Sequence, residues 1–246
     1  MFASQVRLIS LAGVMSAAFA TTALAQSQPV AWSPSYGGAC ADCDLSGRNL
    51  SGWTLNGANY SGARFDYAFM RGVRATAVNM QSANVTGADL RGADLTSARF
   101  ADAVFNNARM QDVLASGADF RRARMQGANL ERARLIGVNF EGASLLFARL
   151  ETADLSGANG TGMILDRANL RGTIFDGANL SEASLSGADV TGASFRDARL
   201  PSADLTGVTG SESADFAGAC GSLSTRLPAD LRLPLCDVPD VISKED

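Results

Sequence analysis

Four cysteines and a dense group of arginines are the side chains of this 246-residue chain with chemistry to offer. Cys40-Ala41-Asp42-Cys43 has the spacing of a thiol–disulfide exchange centre, and also of half a zinc site. Cys220 and Cys236 lie far downstream, in a segment of different composition. Arg121, Arg122, Arg124, Arg132 and Arg134 crowd the middle of the chain and could form a ridge for an anionic partner, while Arg71, Arg91 and Arg171 recur at a common register. The sequence has no histidine, so Ser-His and Cys-His nucleophilic pairs and His-containing metal sites are excluded. Carboxylates are plentiful, but they recur at regular intervals opposite arginines, as surface ion pairs do. No phosphate-binding or dinucleotide fingerprint stands between a strand and a helix. No catalytic, cofactor-binding or metal residue is therefore assigned, and no cofactor is expected. Aromatic residues do not alternate with the arginines, so nucleic acid is not an expected partner.

What positions these groups is a period of five. From Leu45 to Leu205, 30 of the 33 residues whose numbers end in 5 or 0 are Leu, Phe, Met, Val or Tyr; the exceptions are Ala75, Ala115 and Gly160. Two residues before these centres stands Ala in 24 of 33 cases, and Gly often follows two residues after. Neither a 3.6-residue helix nor a 2-residue strand produces that spacing, so the chain is a solenoid whose length grows by adding coils.

Pentads such as Ala88-Asp89-Leu90-Arg91-Gly92 resemble the pentapeptide-repeat family, over about two thirds of the chain. The resemblance implies an all-β fold: a right-handed quadrilateral parallel β-helix of about eight coils. The central residue and the Ala two before it point inward. Charges test the four-pentad coil. Among residues just before each centre, five charged pairs lie 20 apart, and all are opposite in sign: Asp44–Arg64, Arg74–Asp94, Asp89–Arg109, Arg99–Asp119 and Arg134–Asp154. Spacing 15 gives three opposite and three like pairs and spacing 25 gives one opposite and five like, and like charges repel. The same register stacks Phe100, Phe120 and Phe140. Where a centre is small, a neighbour is large: Val73 beside Ala75, Val113 beside Ala115, and Met163 as the filler for Gly160.

Cys40 and Cys43 fall in inward registers of the first coil, which favours a structural disulfide or buried pair over redox exchange. A four-cysteine zinc site is excluded, because eight coils at ~4.8 Å hold the two pairs ~40 Å apart. Exposed-register apolar residues are Phe69, Val104, Leu114, Ile164 and Ile174, with Leu146 and Phe147; they do not fall on a single face. After residue 210 the register slips and then vanishes. Leu223, Leu227, Leu231, Leu233 and Leu235 with Pro228 and Pro234 read as a compact cap over the terminal edge, held by a Cys220–Cys236 disulfide.

Residues 1–25 read as a signal peptide: Arg7, an apolar run from Leu8 to Ala20, and Ala23-Leu24-Ala25 before Gln26. The expected organisation is signal peptide 1–25, lead-in 26–39, repeat 40–210, and cap with tail 211–246. No later segment is apolar enough to span a membrane. The mature chain is expected in the periplasm or medium, as a non-enzymatic scaffold that binds a protein partner or itself. Two other classes are open to such a chain. Some members of the family imitate duplex DNA and bind gyrase, which requires an acidic rod in the cytoplasm. Residues 44–205, by contrast, carry 17 acidic and 17 basic side chains. The remaining class is thiol–disulfide exchange at Cys40 and Cys43.

Overall fold

The computed structural model describes residues 38–236, all within one unit, Trp32–Asp246. The signal segment, nearly all of the lead-in and the tail after Cys236 lie outside the described residues. Backbone pairing among the described residues consists of isolated parallel bridges, one per pentad, separated by two-residue turns. Partners are 20 residues apart from Ala39↔Asn59 to Asp189↔Thr209. The chain thus returns to the same side after four pentads, and four bridge columns run along the solenoid.

Hydrogen-bond accounting explains the repeat. In pentad 88–92, the Ala88 N–H closes a turn on Val85 O at 3.2 Å. The Asp89 N–H bonds the preceding coil at Ala68 O (2.9 Å), while Leu90 and Gly92 donate to the following coil at Arg109 O (2.8 Å) and Gln111 O (3.0 Å). The fifth donor, the Arg91 N–H, turns back to the Asp89 side chain at 3.3 Å. Every N–H of the pentad is satisfied, as a packed backbone requires. The outward Asp or Asn before the centre is therefore a turn-forming residue; Asn129, Asn139 and Asp189 accept the N–H of Glu131, Glu141 and Thr191 in the same way. The turn also needs φ > 0 two residues after the centre, where Gly57 (φ 65°) pays no steric penalty. Tyr67 and Phe147 adopt the same conformation, at φ 55° and 58°, without that freedom.

Inside, the centres and their alanines are sealed from solvent. Phe120 stacks on Phe100 and Phe140, with centroids 4.7 and 5.3 Å away. Val73 and Val113 are fully buried beside Ala75 and Ala115. Met163 does fill the space at Gly160: a Cβ there would lie 2.9 Å from both Met163 Cε and Leu180 Cδ2.

The ladder continues past residue 210. A 3-10 turn at Ser211–Ser213 adds one residue. Asp215 then bridges Ser194, and Phe216 rather than residue 215 stacks on Phe195 at 4.8 Å. Beyond it, Cys220 bridges Arg199 and Arg226 bridges Asp204. The expected leucine cap is different in kind. Leu223 is 94% exposed and Leu235 45%, while Leu227, Leu231 and Leu233 are half-buried, so none of the five leucines forms a buried core here. The segment is held instead by backbone bonds between Gly221 and Pro234 and between Cys236 and Gly221, both 2.8 Å, and by joined Cys220 and Cys236, whose Cα atoms are 4.9 Å apart.

Candidate interaction surface

The outward charges are organised by the turns. Of the five ion pairs expected from 20-residue spacing, all five pairs of residues are bridge neighbours, but only Asp44–Arg64 closes as an ion pair among the described residues, at 3.5 Å. Asp89 and Asp119 turn instead to the arginine two residues on. Arg91 donates to Asp89 through Nε at 2.7 Å, and Arg121 to Asp119 through Nε at 2.9 Å. Each carboxylate already accepts that arginine's own N–H, so the side chain reaches it without leaving the corner. These hydrogen bonds hold both aspartates below the usual carboxylate range, against burial, which opposes ionisation.

The proposed arginine ridge does not form one surface. Arg121 is held by Asp119. Arg122 reaches back one coil to Asp102, with both contacts at 2.8 Å, and Arg132 reaches Asp112 at 2.7 and 2.8 Å. Arg124 and Arg134 make no ion pair among the described residues, but they stand two pentads apart in a four-pentad coil and so face opposite ways. Nearness in sequence brought five residues together that the coil distributes around its perimeter. Arg71 and Arg91 do lie on adjacent coils of one corner, whereas Arg171 is four coils further along.

Apolar side chains in outward positions sort into pairs. Val104 and Ile164 share the column of Arg124, and Leu114 and Ile174 share the column of Arg134. Phe69 lies on another column, and Phe147 lies at a corner, with the Arg167 guanidinium 5.8 Å from its ring centre. Leu114, Phe147, Ile164 and Ile174 all remain exposed. Ile136, also exposed, was missed in the sequence because it follows a centre, a position usually polar.

The pentapeptide-repeat profile, "Pentapeptide repeats (8 copies)", matches residues 40–74, 76–112, 116–145, 143–181 and 173–209. The chain belongs to the pentapeptide-repeat family. Among solved structures, this pentapeptide-repeat protein is similar to HetL from the cyanobacterium Nostoc sp. strain PCC 7120, described as involved in heterocyst differentiation regulation. The two share 28% identity over 77% of this chain and 89% of that one, with a TM-score of 0.40. It is also similar to QnrB1, a plasmid-mediated fluoroquinolone resistance protein, at 22% identity over 76% and 93% of the two chains, with a TM-score of 0.46. A pentapeptide repeat protein of the Arabidopsis thaliana thylakoid lumen shares 26% identity over 46% and 64%, with a TM-score of 0.34. Comparison with curated proteins finds no match.

In this pentapeptide-repeat solenoid Cys40 and Cys43 sit half-buried at the first described coil, joined, with Cα atoms 5.5 Å apart. The same coil carries Arg48 and Trp53 at positions that later hold Ala. Among the described residues no helix is long and apolar enough to cross a membrane.

Proposed function

We propose that the chain is an exported, non-enzymatic interaction scaffold, a right-handed four-sided solenoid of about eight coils that offers its outward columns to a protein partner. The observation that carries this reading is the set of large apolar side chains held in solvent where the repeat calls for polar ones: Leu114, Phe147, Ile164 and Ile174. The core gains nothing from them there, and a binding surface does. The outward carboxylates support a scaffold in a second way, because Asp89, Asp102, Asp112 and Asp119 are committed to arginines and turn N–H groups. Export rests on the Arg7–Ala25 segment and agrees with two joined cysteine pairs, which an oxidising compartment maintains. On this reading the mature protein starts near Gln26, residues 26–39 lead into the repeat, and the segment after 210 closes it.

Intact-mass measurement on native protein tests export; retention of residues 1–25 rejects it. Cross-linking in envelope extracts tests the scaffold reading: a specific partner captured by the native chain is expected to be lost with Phe147→Asp or Ile164→Asp. Reduction of a disulfide substrate dependent on Cys40 and Cys43 would move the assignment to thiol exchange. Inhibition of gyrase supercoiling would move it to duplex imitation.

A further inference from the structure

The column of Arg134 is self-complementary about its middle. Arg134 and Asp154 sit on adjacent coils at its middle; Leu114 and Ile174 stand one coil further out on either side, followed by Asp94 and Ser194. Successive bridges place these six residues in one file. Leu114 is 43% exposed and Ile174 37%. Arg134 has no ion pair among the described residues, and Asp154 accepts there from Ser156 alone, through its N–H at 3.0 Å and its hydroxyl at 2.5 Å.

We propose that this face joins two copies of the chain in an antiparallel dimer, with the two-fold axis passing between Arg134 and Asp154. A two-fold contact must be self-complementary, residue i meeting j and j meeting i. Laid face to face and antiparallel, Arg134 meets Asp154 of the second copy and Leu114 meets Ile174, each twice, while the outermost Asp94 and Ser194 keep their partners within their own copy, Thr96 and Asp176. The charge distribution of the repeat agrees. Residues 44–140 carry 12 basic and 8 acidic side chains, and residues 141–205 carry 5 basic and 9 acidic. The sign changes within a few residues of the proposed axis, so antiparallel copies set opposite halves together and parallel copies set like halves together. The column of Arg124 also pairs its apolar residues, Val104 with Ile164, but it would bring Arg124 against Ser144, with no carboxylate opposite. Six rungs at ~4.8 Å, each less than ~17 Å wide, bury roughly 800 Å² over both copies, which suits a reversible dimer rather than a permanent one.

The proposal deepens the scaffold reading by naming one partner, and its failure leaves the test with envelope extracts untouched. Sedimentation velocity on the purified chain should show a monomer–dimer equilibrium in the micromolar range that weakens with salt. Arg134→Asp and Asp154→Arg should each weaken dimerisation at least about tenfold, and the double exchange should restore it. The circular dichroism of each variant is recorded to show that the coil is intact. Leu114→Cys with Ile174→Cys should form a disulfide-linked dimer under mild oxidation, whereas Leu114→Cys alone should not. Within one copy these sites are three coils, ~14 Å, apart, beyond the reach of an internal disulfide. A chain that stays monomeric at high micromolar concentration overturns the proposal. So does a dimer indifferent to Arg134→Asp but lost with Arg124→Asp, or one cross-linked by Leu114→Cys alone.

Discussion

Gly160 and Met163 have exchanged the roles that Leu and Ala hold in other pentads, and a double-mutant cycle measures that exchange. Met163 is fully buried, and its Cε occupies the space a larger residue at 160 would fill. Met163→Ala alone would leave a small residue at both positions; with so little nearby to collapse inward, the loss should be ~3–5 kcal/mol. Gly160→Leu alone would drive a side chain into Met163 Cε and Leu180 Cδ2, both already 2.9 Å from the first added carbon. Overpacking of that kind costs ~1–3 kcal/mol. Gly160 lies outside the positive-φ region, so Leu meets no backbone penalty there. The double variant restores the usual large centre and the usual Ala of the next pentad, and should be as stable as the native chain, or more stable by ~0.4–1 kcal/mol because the unfolded chain loses the freedom of a glycine. The coupling between the two sites should therefore be at least ~4 kcal/mol, above the usual ~0.5–3 kcal/mol for residues in contact. Urea denaturation of the four proteins, followed by circular dichroism, supplies the numbers. Single-site costs that simply add, with coupling below ~0.5 kcal/mol, would show that Met163 does not fill the site and that the volume argument is wrong.

Phe120→Ala removes a ring packed between Phe100 and Phe140 and should lower stability by ~3–5 kcal/mol, whereas Asn129→Ser on the surface should cost far less; comparable melting shifts would mean that inside and outside are misassigned. Asp89→Asn keeps the turn acceptor but removes the ion pair with Arg91. Because the Arg91 hydrogen bond holds the folded carboxyl below the usual carboxylate range, its contribution is present above the unfolded value and is lost as the pH falls through the lower, folded one. The variant should thus melt earlier than the native chain at neutral pH and no differently in strong acid; a difference that persists in strong acid would implicate the turn instead. Reduction of Cys220–Cys236 should free the segment from Gly221 onward while the central coils persist, worth about 3 kcal/mol for a loop of that size. Hydrogen exchange that is lost uniformly along the chain would contradict this.

The core was legible because one rule, a large residue at every fifth position, decides it, and burial leaves no latitude at Phe100, Phe120 or Leu150. The coil length was legible too, although the charges that revealed it act differently from the reading placed on them. Asp89 and Asp119 sit beside Arg109 and Arg99 on neighbouring coils, yet bond to Arg91 and Arg121. A carboxylate already bound to the N–H two residues on is oriented toward that residue's side chain, and pairwise charge counting carries no such orientation. The arginine ridge failed because Arg124 and Arg134 are close in sequence and half a coil apart in space; the 20-residue register separates them as soon as it is applied. The leucines after Gly221 failed for the opposite reason. With no period left, nothing in the pattern distinguishes an exposed Leu223 from a half-buried Leu227.

The accounting that makes the repeat regular also marks where it departs from structural need. In 16 of the 33 pentads from Leu45 to Leu205 an Asp or Asn stands before the centre, as the acceptor for the fifth N–H. At Leu114, Arg134 and Ile174 that acceptor is absent, and among the described residues no side chain accepts from the N–H of Ser116, Ile136 or Asp176. Asparagine or aspartate at these three positions would strengthen the local turn and raise solubility at no cost to the core. Leu114 and Ile174 thus give up a turn bond and hold apolar surface in solvent, which the fold does not need and an outside surface can use. All three occupy one column, where the proposed two-fold contact needs Leu114 opposite Ile174 and Arg134 opposite Asp154. The same reasoning applies to Val104, Arg124 and Ile164 on the opposite face, which leaves a second surface available to a different partner after the first has paired.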